Sequence, residues 1–387
     1  MKSKIQLLSL FAALCAGSAS AQVAYVYVPT NLGIYAYSAS SAGKLTPIKG
    51  SPFKETTGLA VGTNGKYFIT VGTDWVHAYA IAADGALGSQ VSQINTQNYG
   101  GAQCGTTASG KFNHNGIDIF VELAGATDSD GNLVCDDIQT YSISSKGELT
   151  FKGDLVFSSG STVEGATLPS FIGTNKYGFN LEFYSGYDAD PGDIPSYFNT
   201  FQSEPSGALE FAPNASVSGP IAGGGNGSYN PYAFTADPTD HLAVMVESGI
   251  GSFGCFCQMA SFTETNGKLV STNTWENMPY WPDTWTGPLL MSPSGKLLAL
   301  GVAPGIQLFH FNGANPITPY TGIIGESGGH ISQVAWDNAN HLYALNLNSH
   351  NLHIYDATPT SVKEASGSPL LIPNGAQPTG GLIVRAN

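Results

Sequence analysis

The sequence predicts an all-β fold: a seven-bladed β-propeller of four-stranded antiparallel blades, with its ring closed by strands from both chain ends. Three observations carry the prediction. Short strand-like segments repeat along the chain, an aromatic-to-turn spacing recurs seven times, and the last segment supplies what the first repeat lacks.

The repeat unit is clearest in residues 56–94, which read as four segments: Thr57–Thr63, Lys66–Gly72, Val76–Ala82 and Ala86–Ile94. Each is rich in β-branched or aromatic residues and is bounded by Gly, Asn or Asp, the pattern of short strands joined by tight turns. The segments are called strands A to D, from the central channel outward. Strand C ends in an aromatic that stands six residues before a turn position: Tyr37 before Gly43, Tyr79 before Gly85, Tyr141 before Gly147 and Phe201 before Gly207. Phe262 precedes Gly267 at one residue less, and Phe309 and Tyr355 precede Asn315 and Ser361 at the full spacing. Five copies continue as Gly-x-Leu, ending in Leu45, Leu87, Leu149, Leu209 and Leu269. A single blade buries only part of its apolar surface. Blades packed face to face share cores, and a closed ring leaves no open end. The recurring aromatic is the natural filler of those cores.

The closure is legible at the termini. Past the leader, the chain starts with a B-type strand, Ala24–Pro29, followed by a C strand, Gly33–Ser38, and a D strand from Lys44. No A strand precedes them. Near the other end, residues 378–384 (Pro-Thr-Gly-Gly-Leu-Ile-Val) match residues 56–62 (Thr-Thr-Gly-Leu-Ala-Val-Gly). Residues 378–384 are therefore expected to be the innermost strand of the first blade.

Residues 1–21 read as a cleavable signal peptide and residues 22–387 as one propeller domain. Lys2 and Lys4 precede an apolar run from Ile5 to Cys15, and Ala19-Ser20-Ala21 offers small residues for cleavage after Ala21. The run is too short to span a bilayer, which takes about 20 apolar residues. Leu14 is bulky where a lipoprotein signal before Cys15 needs a small residue. A secreted or periplasmic, monomeric protein without membrane insertion is expected.

The net charge of −14 deepens by two when the leader takes its two lysines, and Arg385 is the sole arginine. Nucleic-acid binding needs a basic stripe to displace counterions, so that class is excluded. Cys104, Cys135, Cys255 and Cys257 are disulfide candidates in an exported chain, with three possible pairings. Cys255-Phe256-Cys257 has no second ligand pair at zinc spacing.

Tyr27-Val28-Pro29-Thr30-Asn31, then Ile34-Tyr35-Ala36-Tyr37-Ser38, then Gly43-Lys44-Leu45-Thr46-Pro47-Ile48 with Gly50-Ser51-Pro52-Phe53 resemble the lactonase-type propellers, the 6-phosphogluconolactonase-like proteins and their YVTN-repeat relatives. The resemblance spans the repeats of the whole mature chain. It implies seven blades, a site at one mouth of the channel, and hydrolysis of sugar lactones. It also implies His and Arg at the starts of inner strands. Here the corresponding stretch is Asn230-Pro231-Tyr232-Ala233-Phe234, and only His330 remains before an inner strand. A phosphorylated sugar acid needs cations to hold it. The expected ligand is therefore a neutral lactone or carbohydrate-like small molecule. Arg385 aligns to an A–B turn on the opposite face.

In a propeller the B–C and D–A loops share one face. The B–C loops are uneven: blade 2 needs only about three residues, whereas blade 3 has residues 125–136, blade 4 residues 185–196 and blade 5 residues 248–254. They form an acidic wall with Asp128, Asp130, Asp136 and Asp137 from blade 3 and Asp188, Asp190 and Asp193 from blade 4. Glu122, Glu182 and Glu247 stand at the ends of the B strands. Two chemistries fit. Clustered oxygens suit calcium or another divalent cation, with Asp128, Asp130, Asp188 and Asp190 as ligands. Lactone opening needs a base and an oxyanion donor, roles assigned to Glu182, Glu247 and His330. The alternative is a non-catalytic ligand-binding or scaffold propeller whose acids are solvated rim residues. Trp275, Trp281 and Trp285 with Tyr280 are expected to cap the core between blades 5 and 6 rather than to stack on a sugar. His241 and His341, which share a repeat position with Lys66 and Lys296, are expected to face solvent.

Overall fold

The computed structural model describes residues 21–387 apart from 55–57, 100–103, 114, 128–132, 159–162, 174–175, 185–195, 219–228, 250–254, 283–285, 327–328, 374 and 380. Seven antiparallel sheets follow one another around the ring. Blade 2 comprises Leu59–Thr63, Tyr67–Val71, Trp75–Ile81 and Leu87–Asn95, within one residue of the predicted segments except at the start of strand A, which comes two residues later. Blades 4 and 7 each add a short fifth strand, Ser170–Phe171 and Leu370–Leu371. Among the described residues, no helix is long and apolar enough to cross a membrane. The expected signal peptide lies outside the described residues.

Blade 1 has the composite build read from the termini. Its strands run, from outside to inside, Leu45–Pro47, Gly33–Ser40, Gln22–Thr30 and Ile383–Ala386. The C-terminal strand pairs Ala386 with Ala24 and Ile383 with Tyr27. Upstream, Pro378 bridges Thr30, and the Thr379 N–H donates to Pro29 O at 3.1 Å. Strand pairing therefore starts later than expected, at Ile383, while Pro378 and Thr379 already lie beside the first strand. Arg385 lies within this strand, paired with Tyr25, rather than in a turn. Its guanidinium is 5.2 Å from the centre of the Tyr25 ring.

The repeated aromatics fill seven cores, each between a blade and its predecessor. Tyr37 packs with Tyr343 and Leu352 of blade 7, Tyr79 with Tyr27 of blade 1, and Tyr141 with Ile69 of blade 2. Phe201, Phe262, Phe309 and Tyr355 continue the series around the ring. All seven are at most 3% exposed. This is why the spacing repeats: one ring per interface, held at one height by the turn that follows.

The turn glycine has its own steric cause. Gly85 has φ +82°, and a Cβ there would lie 2.3 Å from the Tyr25 ring of the preceding blade. That close approach lets Tyr25 Oη donate to Ala83 O at 2.6 Å and Tyr27 Oη to Gly85 O at 2.9 Å. In blade 6 the turn shortens, and its glycine is Gly313, φ +64°, two residues before the expected position at Asn315.

The histidine expectation fails. His341 is 2% exposed, with Nδ1 2.7 Å from Asp337 Oδ2, and Tyr343 Oη donates to the same oxygen at 2.9 Å. His241 repeats the motif more openly, 3.2 Å from Asp237. The reason lies four residues upstream: both histidines have an aspartate there, whereas Lys66 and Lys296 have Gly62 and Ser292.

Candidate functional site

The D–A face is shaped by a repeated irregularity of the innermost strands. The A–B register slips between Ala60 and Gly62 in blade 2, Thr107 and Ser109 in blade 3, and Val163 and Gly165 in blade 4. It slips again between Pro231 and Ala233 in blade 5 and Ile331 and Gln333 in blade 7. One residue is left over each time: Val61, Ala108, Glu164, Tyr232 and Ser332. Such bulges bend a strand and re-aim a side chain, and they recur at barrel rims and beside functional sites. Here they lie toward the start of strand A, where the inner strands border the mouth.

Three of the expected acid/base residues occupy this end of the ring. Glu247 pairs with Asn230 and Cys257 and is half-buried. Glu182 pairs with Ala166 and Tyr197, and its side chain lies outside the described atoms. His330 directly precedes the inner strand of blade 7, its Nδ1 3.4 Å from the Asn348 amide. Glu122 pairs with Ser109 on the inner strand of its own blade, whose Oγ donates to Oε2 at 2.5 Å. Burial raises its pKa, and the Ser109 hydrogen bond opposes the rise.

The acidic wall is partly corrected. Asp128, Asp130, Asp188, Asp190 and Asp193 lie outside the described residues, and the side chain of Asp136 outside the described atoms. Asp137 is not a rim residue. It is 0% exposed, beneath the blade 2–3 interface on the same face of strand C as Gln139 and Tyr141. Among the described residues, no donor reaches either carboxylate oxygen within hydrogen-bond geometry. Burial first, and the neighbouring Asp154 charge second, push its pKa up to about 7, with the Gln139 amide opposing them. Among the described residues, no group of three or more His, Cys, Asp or Glu is arranged to hold a metal ion. Cys104 and Cys257 are both disulfide-bonded, and the sulfurs of Cys135 and Cys255 lie outside the described atoms.

Two of the cations are tied into the scaffold. Arg385 sits at the A–B end of its strand, on the far face, with Nη1 donating to Ala82 O at 3.5 Å. Lys111, on the inner strand of blade 3, donates to Leu168 O at 3.0 Å and Ser170 Oγ at 2.7 Å. Burial lowers its pKa to about 7. Lys54 contributes to a cavity of about 630 Å³ over blades 1 and 2, with Thr30, Asn31, Leu32, Gly58 and Thr379 among its walls. This cavity is lined by the B–C turn of blade 1 and so opens on the predicted face, at blades 1 and 2, a location that loop lengths did not reveal.

The tryptophans divide. Trp281 is 5% exposed and caps the blade 5–6 core as expected, its indole N–H donating to Gln258 O at 3.0 Å. Trp275 and Tyr280 are 42% and 54% exposed. Trp285 lies outside the described residues. Tyr232, which sequence reasoning noted only as a lost basic position, is 45% exposed and stacks on Trp281, with centroids 6.2 Å apart and planes at 23°.

Seven four-stranded blades in a ring, closed by a first blade built from both chain ends, define a seven-bladed β-propeller. A Bacteroides uniformis protein provisionally described as a 6-phosphogluconolactonase superposes with a TM-score of 0.58 at 15% identity, covering 95% of this chain and 100% of that one. A Lactobacillus plantarum protein superposes with a TM-score of 0.60 at 12% identity and the same coverage. At these identities the likeness is one of fold. No protein-family model matches the chain, and no curated protein matches its sequence.

Proposed function

We infer that the protein is an exported, lactonase-like propeller that takes a small neutral ligand at the B–C/D–A mouth and opens a neutral lactone there. The cation inventory carries this reading. The sole arginine is held at the far end of an inner strand by Tyr25 and Ala82, and Lys111 is engaged by blade 4. A phosphorylated acid would find Lys54 over blades 1 and 2 but no arginine to hold it, whereas a neutral cyclic ester needs no counter-charge. Glu247 or Glu182 would act as base on water, and His330 would donate to the developing oxyanion or serve as the base.

The test is a panel of neutral γ- and δ-lactones followed by proton release, with calcium and with chelator. Turnover of at least one member is expected. Glu247→Gln, Glu182→Gln or His330→Asn should lower it by about 10²-fold or more, the usual contribution of an acid/base group. Binding without turnover across the panel would make the protein a non-catalytic binding propeller. The replacement of the family's basic position by Tyr232 favours that second reading.

A further inference from the structure

Tyr232 combines four features that no packing role requires. It is the residue left over at the inner-strand bulge of blade 5, between Pro231 opposite Val246 and Ala233 opposite Met245. Its neighbours on either side are more covered, Pro231 buried and Ala233 half-buried, while Tyr232 is 45% exposed. One ring face is backed by Trp281 at 6.2 Å and 23°. Trp281 is itself immobilised, 5% exposed with its indole N–H on Gln258 O and its backbone N–H on Cys257 O, both at 3.0 Å. A large exposed aromatic resting on a rigid base, at the rim of a channel, is a platform.

We propose that Tyr232 is the stacking platform for the ring of a neutral sugar or sugar-lactone ligand. This rests on the reading of the mouth as a neutral-ligand site and names the residue that orients the ligand there. An aromatic face is electron-rich, and the axial C–H bonds of a pyranose or lactone ring present partial positive charge to it. Two rotatable side-chain bonds make tyrosine cheap to order, and the Trp281 base removes part of that cost beforehand. The chemistry also selects against anions: a phosphate or carboxylate gains nothing from the negative face of the ring. The remaining hydroxyls of a stacked polyol would meet acceptors at this end of blade 5, where Glu247 pairs with Asn230. The bulge is what makes the arrangement possible. Without the slipped register, residue 232 would continue the alternation of the strand and pack between blades.

The experiment uses the full mature chain and D-glucono-1,5-lactam, a stable neutral analogue of a sugar lactone, with 6-phosphogluconate as the anionic comparison. Affinity is read by calorimetry, and the contacting protons by saturation-transfer NMR. The wild type should bind the lactam in preference to the phosphorylated acid. Tyr232→Ala should weaken lactam binding at least tenfold, and Tyr232→Phe should leave it within twofold, because the ring rather than the hydroxyl is used. Tyr232→Leu, which keeps apolar contact with Trp281 but has no π face, should behave as the alanine variant while melting as the wild type does. Lactam binding unchanged in both Tyr232→Ala and Tyr232→Leu overturns the platform and leaves the neutral-ligand reading standing. A wild type that prefers 6-phosphogluconate, or binds neither compound, overturns that reading and the platform with it.

Discussion

Asp337 at the ring closure and Asp137 between blades 2 and 3 are both buried, at 1% and 0% exposure, yet their pKa values shift in opposite directions. Burial works to raise the pKa of each. At Asp337 the His341 ring, the His341 backbone N–H and the Tyr343 hydroxyl outweigh it and hold the carboxyl below its ordinary range. At Asp137 no donor among the described residues reaches either oxygen with hydrogen-bond geometry, Asp154 adds like charge, and the pKa climbs to about 7. The sign of a buried acid's shift is set by its partners, not by its depth. The contrast belongs to the two aspartates and their immediate partners. His341, bonded to Asp337, also faces the Ser41 backbone across the closure. Elsewhere both regions bury polar side-chain atoms that find no partner among the described residues, Trp336 Nε1 in blade 7 as well as Thr140 Oγ1 in blade 3 and the Asn180 amide in blade 4.

The contrast is broken most severely at the clasp. Deleting residues 378–387 removes the innermost strand of blade 1 and its pairing from Ala24 to Tyr27. The melting temperature should fall by on the order of 10 °C or more, with loss of a single cooperative transition by calorimetry. A deletion that melts like the wild type would refute closure by the C-terminal strand. Next in size is Asp337→Ala, which strands a buried imidazole and should cost about 3–5 kcal/mol in denaturant unfolding. The pH dependence sharpens the assignment. The pKa of Asp337 is depressed from 3.8, so its contribution is present above that value and is lost as pH falls through the folded pKa. That of His341 is raised from 6.5 despite burial, by its bonds to Asp337, so its contribution is present below 6.5 and is lost as pH rises through the folded pKa. Between those limits the pair contributes most, and the Asp337→Ala penalty should be largest there.

Much of this architecture was written in the sequence, because one ring and one turn per interface leave a periodic trace. Phe309 and Tyr355 kept that trace even where the turn glycine moved or vanished. The His341 environment was missed because register was read without the residue four positions earlier; Asp337 and Asp237 were the available signal. The inward orientation of Asp137 followed from strand C extending to Leu133, deeper into the acidic segment than a loop reading allowed. Tyr232 was visible only as a substitution for a basic residue. Its exposure arises from a one-residue register slip, and its stacking partner, Trp281, lies 49 positions further along the chain. Neither is encoded in local pattern. The cavity beside Lys54 is likewise assembled from blade 1, blade 2 and the C-terminal segment together.

Asp137 carries the prediction of opposite sign. Its folded pKa stands near 7 against 3.8 for an unperturbed carboxyl. The unfolded chain therefore releases this proton earlier than the folded one as pH rises. Folding stability should decline from about pH 4 to about pH 7 and level off above, where both states are ionised. Asp137→Asn keeps the shape and removes the titration. It should leave stability near pH 4 little changed, and above pH 7 it should raise stability by on the order of 1–3 kcal/mol. That result would place the mirror image of Asp337→Ala on the same backbone: removing one buried aspartate weakens the fold and neutralising the other strengthens it. An Asp137→Asn variant less stable than the wild type at pH 8 would instead mean that the carboxylate is held by a favourable partner, and a cation between blades 2 and 3 would then be the first to test, by repeating the melt with calcium and with chelator.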